Sequence, residues 1–205
     1  MKIPLAYQKT EYDCAPTSIY NGLSYLFERE EIPPDILKPI MTYTMDCYNR
    51  KGEPGKWGTS RAAMEYIATW FNHFAAQTKF PLMTEYFQSE DICIENDCYV
   101  GQAVRNGAVA VVRLFYDEEH YALITKIEDD MVYMFDPHYR YICHRGASGD
   151  IQLVKDRPKE YNSIFSLERL NSEGKGFYMM GPKANREIIL MHNTSLHRKR
   201  KKQVR

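Results

Sequence analysis

AVAVVRLFYDEEHYALITKIEDDMVYMFDP, residues 108–137, decides the fold class. Ala108–Tyr116 is a near-continuous apolar run rich in β-branched residues, the mark of a buried strand. Tyr121–Ile127 is a second run, Glu128-Asp129-Asp130 has the composition of a turn, and Met131–Phe135 is a third run. Strands joined by links this short are antiparallel neighbours. Tyr139–His144 is a candidate fourth strand, and Gly176–Met180 and Glu187–His192 are candidate late ones.

Upstream of this stretch the pattern changes to a helical period. From Cys14 onward, Ile19, Leu23, Leu26 and Phe27 recur at helical spacing, with Asp13 as the expected cap and Pro16 in the first turn, where a missing N–H is harmless. Pro33-Pro34 ends that segment, Asp35–Tyr48 reads as a short second helix, and the glycines and prolines of Arg50–Gly58 read as a loop. A longer helix is expected over about Thr59–Ala76, capped by Thr59 or Ser60, with Ala63, Ile67, Trp70, Phe71 and Phe74 on one face. Residues 80–107 read as a strand near Phe80–Tyr86 and a short helix near Ile94–Arg105, and Ser166–Leu170 as a last short helix. Helices first and antiparallel strands afterwards predict an α+β fold, an N-terminal helical layer packed on an antiparallel sheet. One domain over residues 1–195 is expected, followed by a flexible basic tail over 196–205.

Composition narrows the function. The chain is 44% hydrophobic and 13% aromatic, enough for a substantial core. Its formal charge is zero, but Arg198, Lys199, Arg200, Lys201, Lys202 and Arg205 hold six of the 27 basic residues, so 21 remain against 27 acidic ones in the body. An acidic body is not expected to bind nucleic acid, although the tail is suited to an anionic partner. The sequence holds no signal-like or membrane-length apolar run, which predicts a cytoplasmic protein. Five irregularly spaced cysteines do not read as a disulfide framework, so reduced thiols are expected. Cys93, Cys98, Cys143, His144 and His138 are too loosely spaced for a zinc site, and neither metal nor cofactor is expected.

Four residues carry chemistry. Cys14 opens a helix, where the dipole and unpaired amides stabilise a thiolate. Gln8, six residues earlier, is placed to aim its amide beside the Cys14 N–H as an oxyanion donor. His120 opens one strand and Asp136 closes the next, so a hairpin turning at Asp129-Asp130 brings imidazole and carboxylate side by side. Each residue alone reads as ordinary: a core cysteine, a solvated amide, a strand-end histidine, a turn aspartate. Their order and placement together read as a nucleophile, base, orienter and oxyanion donor.

The stretch Gln8…Asp13-Cys14-Ala15-Pro16-Thr17, with His120-Tyr121-Ala122-Leu123-Ile124 and Val132-Tyr133-Met134-Phe135-Asp136-Pro137, resembles the double-glycine (bacteriocin-processing) peptidase-like branch of the papain-like cysteine peptidase superfamily. The resemblance covers roughly residues 1–140; many relatives have Gly where this chain has Ala15, and the exporter to which transporter members are fused has no counterpart here. It implies a papain-like fold and a cysteine peptidase or amide hydrolase acting on an extended peptide or protein, with Cys14, His120, Asp136 and Gln8 as catalytic residues. An acyltransferase using the same thioester chemistry, and a non-catalytic peptide-binding module of the same fold, are the alternatives. Tyr7, Trp57 and Tyr121 are candidate groove residues, and the acidic turn Asp117–Glu119 suits a basic peptide.

Overall fold

The computed structural model describes residues 1–95, 97–116, 119–140 and 149–195. Helix α1 spans Cys14–Leu26, and its period places Cys14, Ala15, Ile19, Leu23 and Leu26 in the core. Its last carbonyls are satisfied from outside: Lys2 Nζ donates to Phe27 O at 2.9 Å, and Asn193 Nδ2 donates to Leu26 O at 3.0 Å. Helix α2 is Leu37–Thr44, preceded by a 3₁₀ turn at Pro34–Ile36. Helix α3 is Arg61–Thr78, where Ser60 caps by accepting from the Ala63 amide. The two shorter helices are α4, Tyr99–Arg105, and α5, Leu167–Asn171.

The strands are β1 Leu82–Gln88, β2 Val109–Phe115, β3 Glu119–Glu128, β4 Met131–Phe135, β5 Gln152–Leu153, β6 Ser163–Ser166 and β7 Glu187–Asn193. They form one antiparallel sheet in the order β1-β7-β2-β3-β4-β6-β5. The α+β class and the antiparallel sheet are as the sequence predicts. The helical layer is not confined to one face, however. α1, α2 and α3 share a core with Val109, Val111, Tyr121, Leu123 and Ile189, whereas α4 and α5 cover the opposite face, with Ala110, Val112, Ala122, Ile124 and Leu190. Alternate residues of the central strands β2 and β7 feed the two cores, so both faces of the sheet are buried there.

Several expectations are corrected. Gly176–Met180 is not a strand; it is a turn in which Tyr178 has φ +58°. The short helix expected from Ile94 begins only at Tyr99. The last strand, β7, which the sequence shows only as a strand, lies between β1 and β2, buried along its whole length. Cys93 and Cys98 are not free thiols. Their Cα atoms are brought to 5.7 Å by the turn before α4, and the sulfurs are joined as a disulfide, so they offer no thiolate to a metal although Glu95 lies beside them. Cys14 and Cys47 are free, whereas Cys143, His144 and the tail lie outside the described residues, as does most of the expected strand 139–144. No described helix is long and apolar enough to cross a membrane.

Candidate active site

Cys14 sits at the first position of α1, and the helix is docked so that this end meets the start of β3. One turn beyond Cys14, the Ser18 hydroxyl donates to the carbonyl of Tyr121, the residue after His120, at 3.1 Å. Farther along, Gly22 lies directly on the sheet. A Cβ there would come 2.7 Å from Met191 Sδ and 3.5 Å from Leu123 Cδ1, so only glycine allows this approach without displacing Met191.

His120 and Asp136 share a sheet face because of one irregularity. Near the turn, Glu128 faces Met131 and Ile127 faces Val132, a register that puts even residues of one strand opposite odd residues of the other. A bulge between Ile124 and Lys126 shifts this by one, so that Ile124 faces Met134 and Leu123 faces Phe135. The cores record the change: Ile127 and Val132 lie on the second face together with Ala122, Ile124 and Met134. His120 and Asp136 continue that even series. A regular ladder would have sent them to opposite faces.

The imidazole Nε2 of His120 donates to Asp136 Oδ1 at 2.7 Å, and the Cys14 sulfur lies close enough to the ring to favour its charged form. The His120 side chain is 17% exposed and that of Asp136 1%. Burial works against the charge on His120, but the Asp136 carboxylate and the Cys14 sulfur outweigh it and hold the imidazole well above its ordinary value, at about 10. Burial likewise works against an ionised Asp136, and is overcome by His120 and then Arg140, which hold its carboxyl below the usual range.

Among the described residues, four donors converge on that carboxylate. Oδ1 accepts from His120 and from the His138 amide (2.9 Å); Oδ2 accepts from Arg140 Nε (2.9 Å) and the Tyr178 hydroxyl (3.2 Å). The Asp136 backbone is held as well. Its N–H donates to Asn162 Oδ1 and its carbonyl accepts from Asn162 Nδ2, both at 2.8 Å, so one side chain replaces a partner strand just past the end of β4.

Gln8 reaches the site through its backbone: its N–H donates to Pro137 O at 2.8 Å, one residue beyond Asp136. Its side-chain Nε2 donates to Thr10 O at 2.8 Å, which leaves the amide's second N–H, while Oε1 is buried without a partner. Asp13 does not cap α1 with its side chain. Its carboxylate instead accepts from the amides of Lys9 (2.9 Å) and Thr10 (2.6 Å), and from the hydroxyls of Thr10 (2.5 Å) and Thr17 (3.3 Å). It thus fixes the loop between Gln8 and Cys14. Burial opposes ionisation of Asp13, and the Lys9 and Thr10 donors overcome it, leaving the carboxyl below its ordinary value.

The expected groove residues divide. Trp57 is 60% exposed, and Tyr7 packs against the Phe135 and Tyr139 rings, but Tyr121 is buried, its hydroxyl donating to Glu187 Oε1 at 3.1 Å. Burial explains the correction: an odd residue of β3 faces α1 and the first core. Of the acidic turn, Asp117 and Glu118 lie outside the described residues, and Glu119 is ion-paired with Arg113. Sequence reasoning missed Arg140, Asn162 and Tyr178. None of them lies in a motif, and only the i, i+4 spacing of Asp136 and Arg140 offered a signal.

No protein-family model matches the chain, and no curated protein does. Among solved structures, the chain is similar to the peptidase domain of Streptococcus mutans ComA, at 13% identity and a TM-score of 0.42, over 92% of this chain and 98% of that one. It is also similar to a double glycine motif protease from an AMS/PCAT transporter, solved in complex with the leader peptide, at 10% identity and a TM-score of 0.44, over 93% of this chain and 91% of that one.

Proposed function

We propose that this chain is a cysteine peptidase-like hydrolase that cleaves an amide bond of an extended peptide, with Cys14 as nucleophile, His120 as base and acid, Asp136 as orienter and Gln8 as oxyanion donor. The observation that carries the reading is the His120–Asp136 hydrogen bond, with the Cys14 sulfur beside that imidazole at the N-terminus of a helix. An imidazole so strongly biased toward its charged form favours a thiolate–imidazolium pair near neutral pH.

In this mechanism the Cys14 thiolate attacks the scissile carbonyl carbon. The oxyanion takes hydrogen bonds from the Cys14 N–H and from the second N–H of Gln8 Nε2, the first being engaged by Thr10 O. His120 gives its Nδ1 proton to the departing amine as the C–N bond breaks, leaving a thioester on Cys14. The now neutral imidazole accepts a proton from water as that water attacks the thioester, and Cys14 departs as thiolate.

Limited alkylation with iodoacetamide at pH 7, with the modified residue mapped by mass spectrometry, tests the reading without a substrate. The Cys47 thiol is pushed up to about 11 by burial and by Asp46 beside it, so only about one molecule in ten thousand carries that thiolate at pH 7. Cys14 is expected to react at least about 100-fold faster. His120→Ala should slow alkylation of Cys14 itself, because its thiolate then lacks the imidazolium partner. First labelling at Cys47 or Cys143, or a His120→Ala protein that labels Cys14 as fast as the parent, would overturn the assignment.

A further inference from the structure

We propose that Arg140, held against the far oxygen of Asp136, is a positioning residue that limits how strongly the orienting carboxylate charges His120. The inference rests on the Cys14–His120–Asp136 reading and concerns that site's tuning. Arg140 Nε donates to Asp136 Oδ2 at 2.9 Å while His120 takes Oδ1 at 2.7 Å, so two cations share one carboxylate from its two sides. The guanidinium is fixed by more than the ion pair: it stacks 4.7 Å above the Phe177 ring, and its side chain is 17% exposed.

Tyr178 completes this far side. Its hydroxyl reaches Oδ2 at 3.2 Å and contacts the Ser163 hydroxyl at 3.0 Å, from a backbone with φ +58°. A bulky residue persists in that left-handed region only when its surroundings impose it. Phe177 and Tyr178 therefore arrive together, one stacking on Arg140 and the other bonding the oxygen that Arg140 holds.

The consequence follows from charge. An aspartate facing only His120 would stabilise the imidazolium with its full negative charge, and an over-stabilised imidazolium gives up its proton to the leaving amine reluctantly. A guanidinium on the opposite oxygen draws off part of that field. Among the described residues, the other charged or titratable groups around the pair are Cys14 from α1, His138, Tyr178 and, beyond His138, Glu11. Arg140 is the permanent cation among them that touches the carboxylate.

The sign of one measurement separates tuning from scaffolding. In the full-length chain carrying Cys14→Ala, which removes the sulfur's own effect, the His120 titration is followed by NMR and assigned by its loss in His120→Gln. Arg140→Gln is expected to move the His120 midpoint upward by on the order of one pH unit, since it removes a like charge held on the other oxygen of the same carboxylate at a partly screened site. Arg140→Lys, which keeps the charge, should stay within about 0.3 unit of the parent. If Arg140 merely holds Asp136 in place, its loss frees the carboxylate and the midpoint falls. A fall, or no change, overturns the proposal. Arg140→Met, also neutral and able to pack on Phe177, serves should the Gln variant not fold. Failure here leaves Cys14 alkylation dependent on His120, whereas failure of the hydrolase reading removes that dependence whichever way His120 titrates.

Discussion

Asn162→Ala is the perturbation that best separates the holding of the site from its chemistry, because Asn162 makes both of its Asp136 bonds to backbone and neither to a reacting group. Removing the side chain deletes both of these hydrogen bonds, each worth about 1 kcal/mol net, together with a longer one that Oδ1 accepts from the Ser163 hydroxyl at 3.3 Å. It also leaves the Asp136 N–H and carbonyl without their partners beside a residue only 1% exposed. An unsatisfied buried group costs about 1–3 kcal/mol, and water reaching the vacated space offsets part of that. The expected loss is therefore about 2–4 kcal/mol in urea unfolding. With an m-value of about 2 kcal/mol/M, the midpoint should fall by about 1–2 M.

A control of the same chemistry lies elsewhere in the fold. Asn72 of α3 holds the backbone of Thr84 in β1 through the same pair of bonds, at 2.9 and 2.8 Å. Asn72→Ala should cost a similar amount in urea and leave Cys14 alkylation unchanged. Asn162→Ala should slow that alkylation as well, because Asp136 Oδ1 drifts from His120. A stability loss under about 0.5 kcal/mol for Asn162→Ala, or equal effects of the two variants on alkylation, would refute the reasoning.

The ion pair gives stability a definite pH window. Asp136 is depressed in the fold, so its contribution is present above its unfolded value of 3.8 and is lost as pH falls below that. His120 is raised, so its contribution is complete below 6.5 and is lost as pH climbs toward about 10. The stability difference between the parent and Asp136→Asn, measured by urea unfolding at several pH values, should accordingly be largest between about pH 4 and 6.5 and shrink on both sides; a difference that grows from pH 7 to 9 would contradict the assignment. Gln8→Ala should leave Cys14 alkylation within about twofold of the parent yet cut peptide turnover by roughly 100–1,000-fold, the usual effect of losing one oxyanion donor. Turnover unaffected by that change, measured once a peptide library has supplied a substrate, would make Gln8 a loop amide alone.

The elements that were legible in the sequence are those whose side chains repeat. α1, α3 and the strands of residues 108–135 carry unbroken apolar periods, and their bounds fall within a few residues of expectation. β5 and β6 were not read, since a two-residue and a four-residue strand carry no period. The central place of β7 was equally hidden. Glu187–Asn193 was readable as a strand, but its insertion between β1 and β2 is a long-range pairing that local pattern does not encode. Tyr178 misled for the opposite reason: Gly176–Met180 looks like a strand by composition, yet a left-handed residue in its middle breaks the ladder.

At the candidate site, the residue types and the pairing of His120 with Asp136 were legible, but the irregularity that allows that pairing was not. The sixteen-residue spacing of His120 and Asp136, read on a regular two-residue hairpin, puts the two side chains on opposite faces; only the bulge between Ile124 and Lys126 reconciles spacing with contact. What then holds the parts is asparagine acting as a surrogate strand. Asn21 of α1 takes both backbone groups of Ala6, at 2.7 and 2.9 Å, two residues before Gln8. Asn162 takes both groups of Asp136, and the Gln8 amide bonds Pro137 O. The segment bearing Gln8 is thus tied on one side to the helix bearing Cys14 and on the other to the chain bearing Asp136. A carboxamide presents one acceptor and two donors at a spacing that matches a peptide unit, so it can end a strand without another strand beside it. In sequence such a residue looks like any loop asparagine, because its information lies in the partner it meets. Arg140 is legible only in the same sense: its bond to Asp136 gains meaning once His120 is known to occupy the other oxygen.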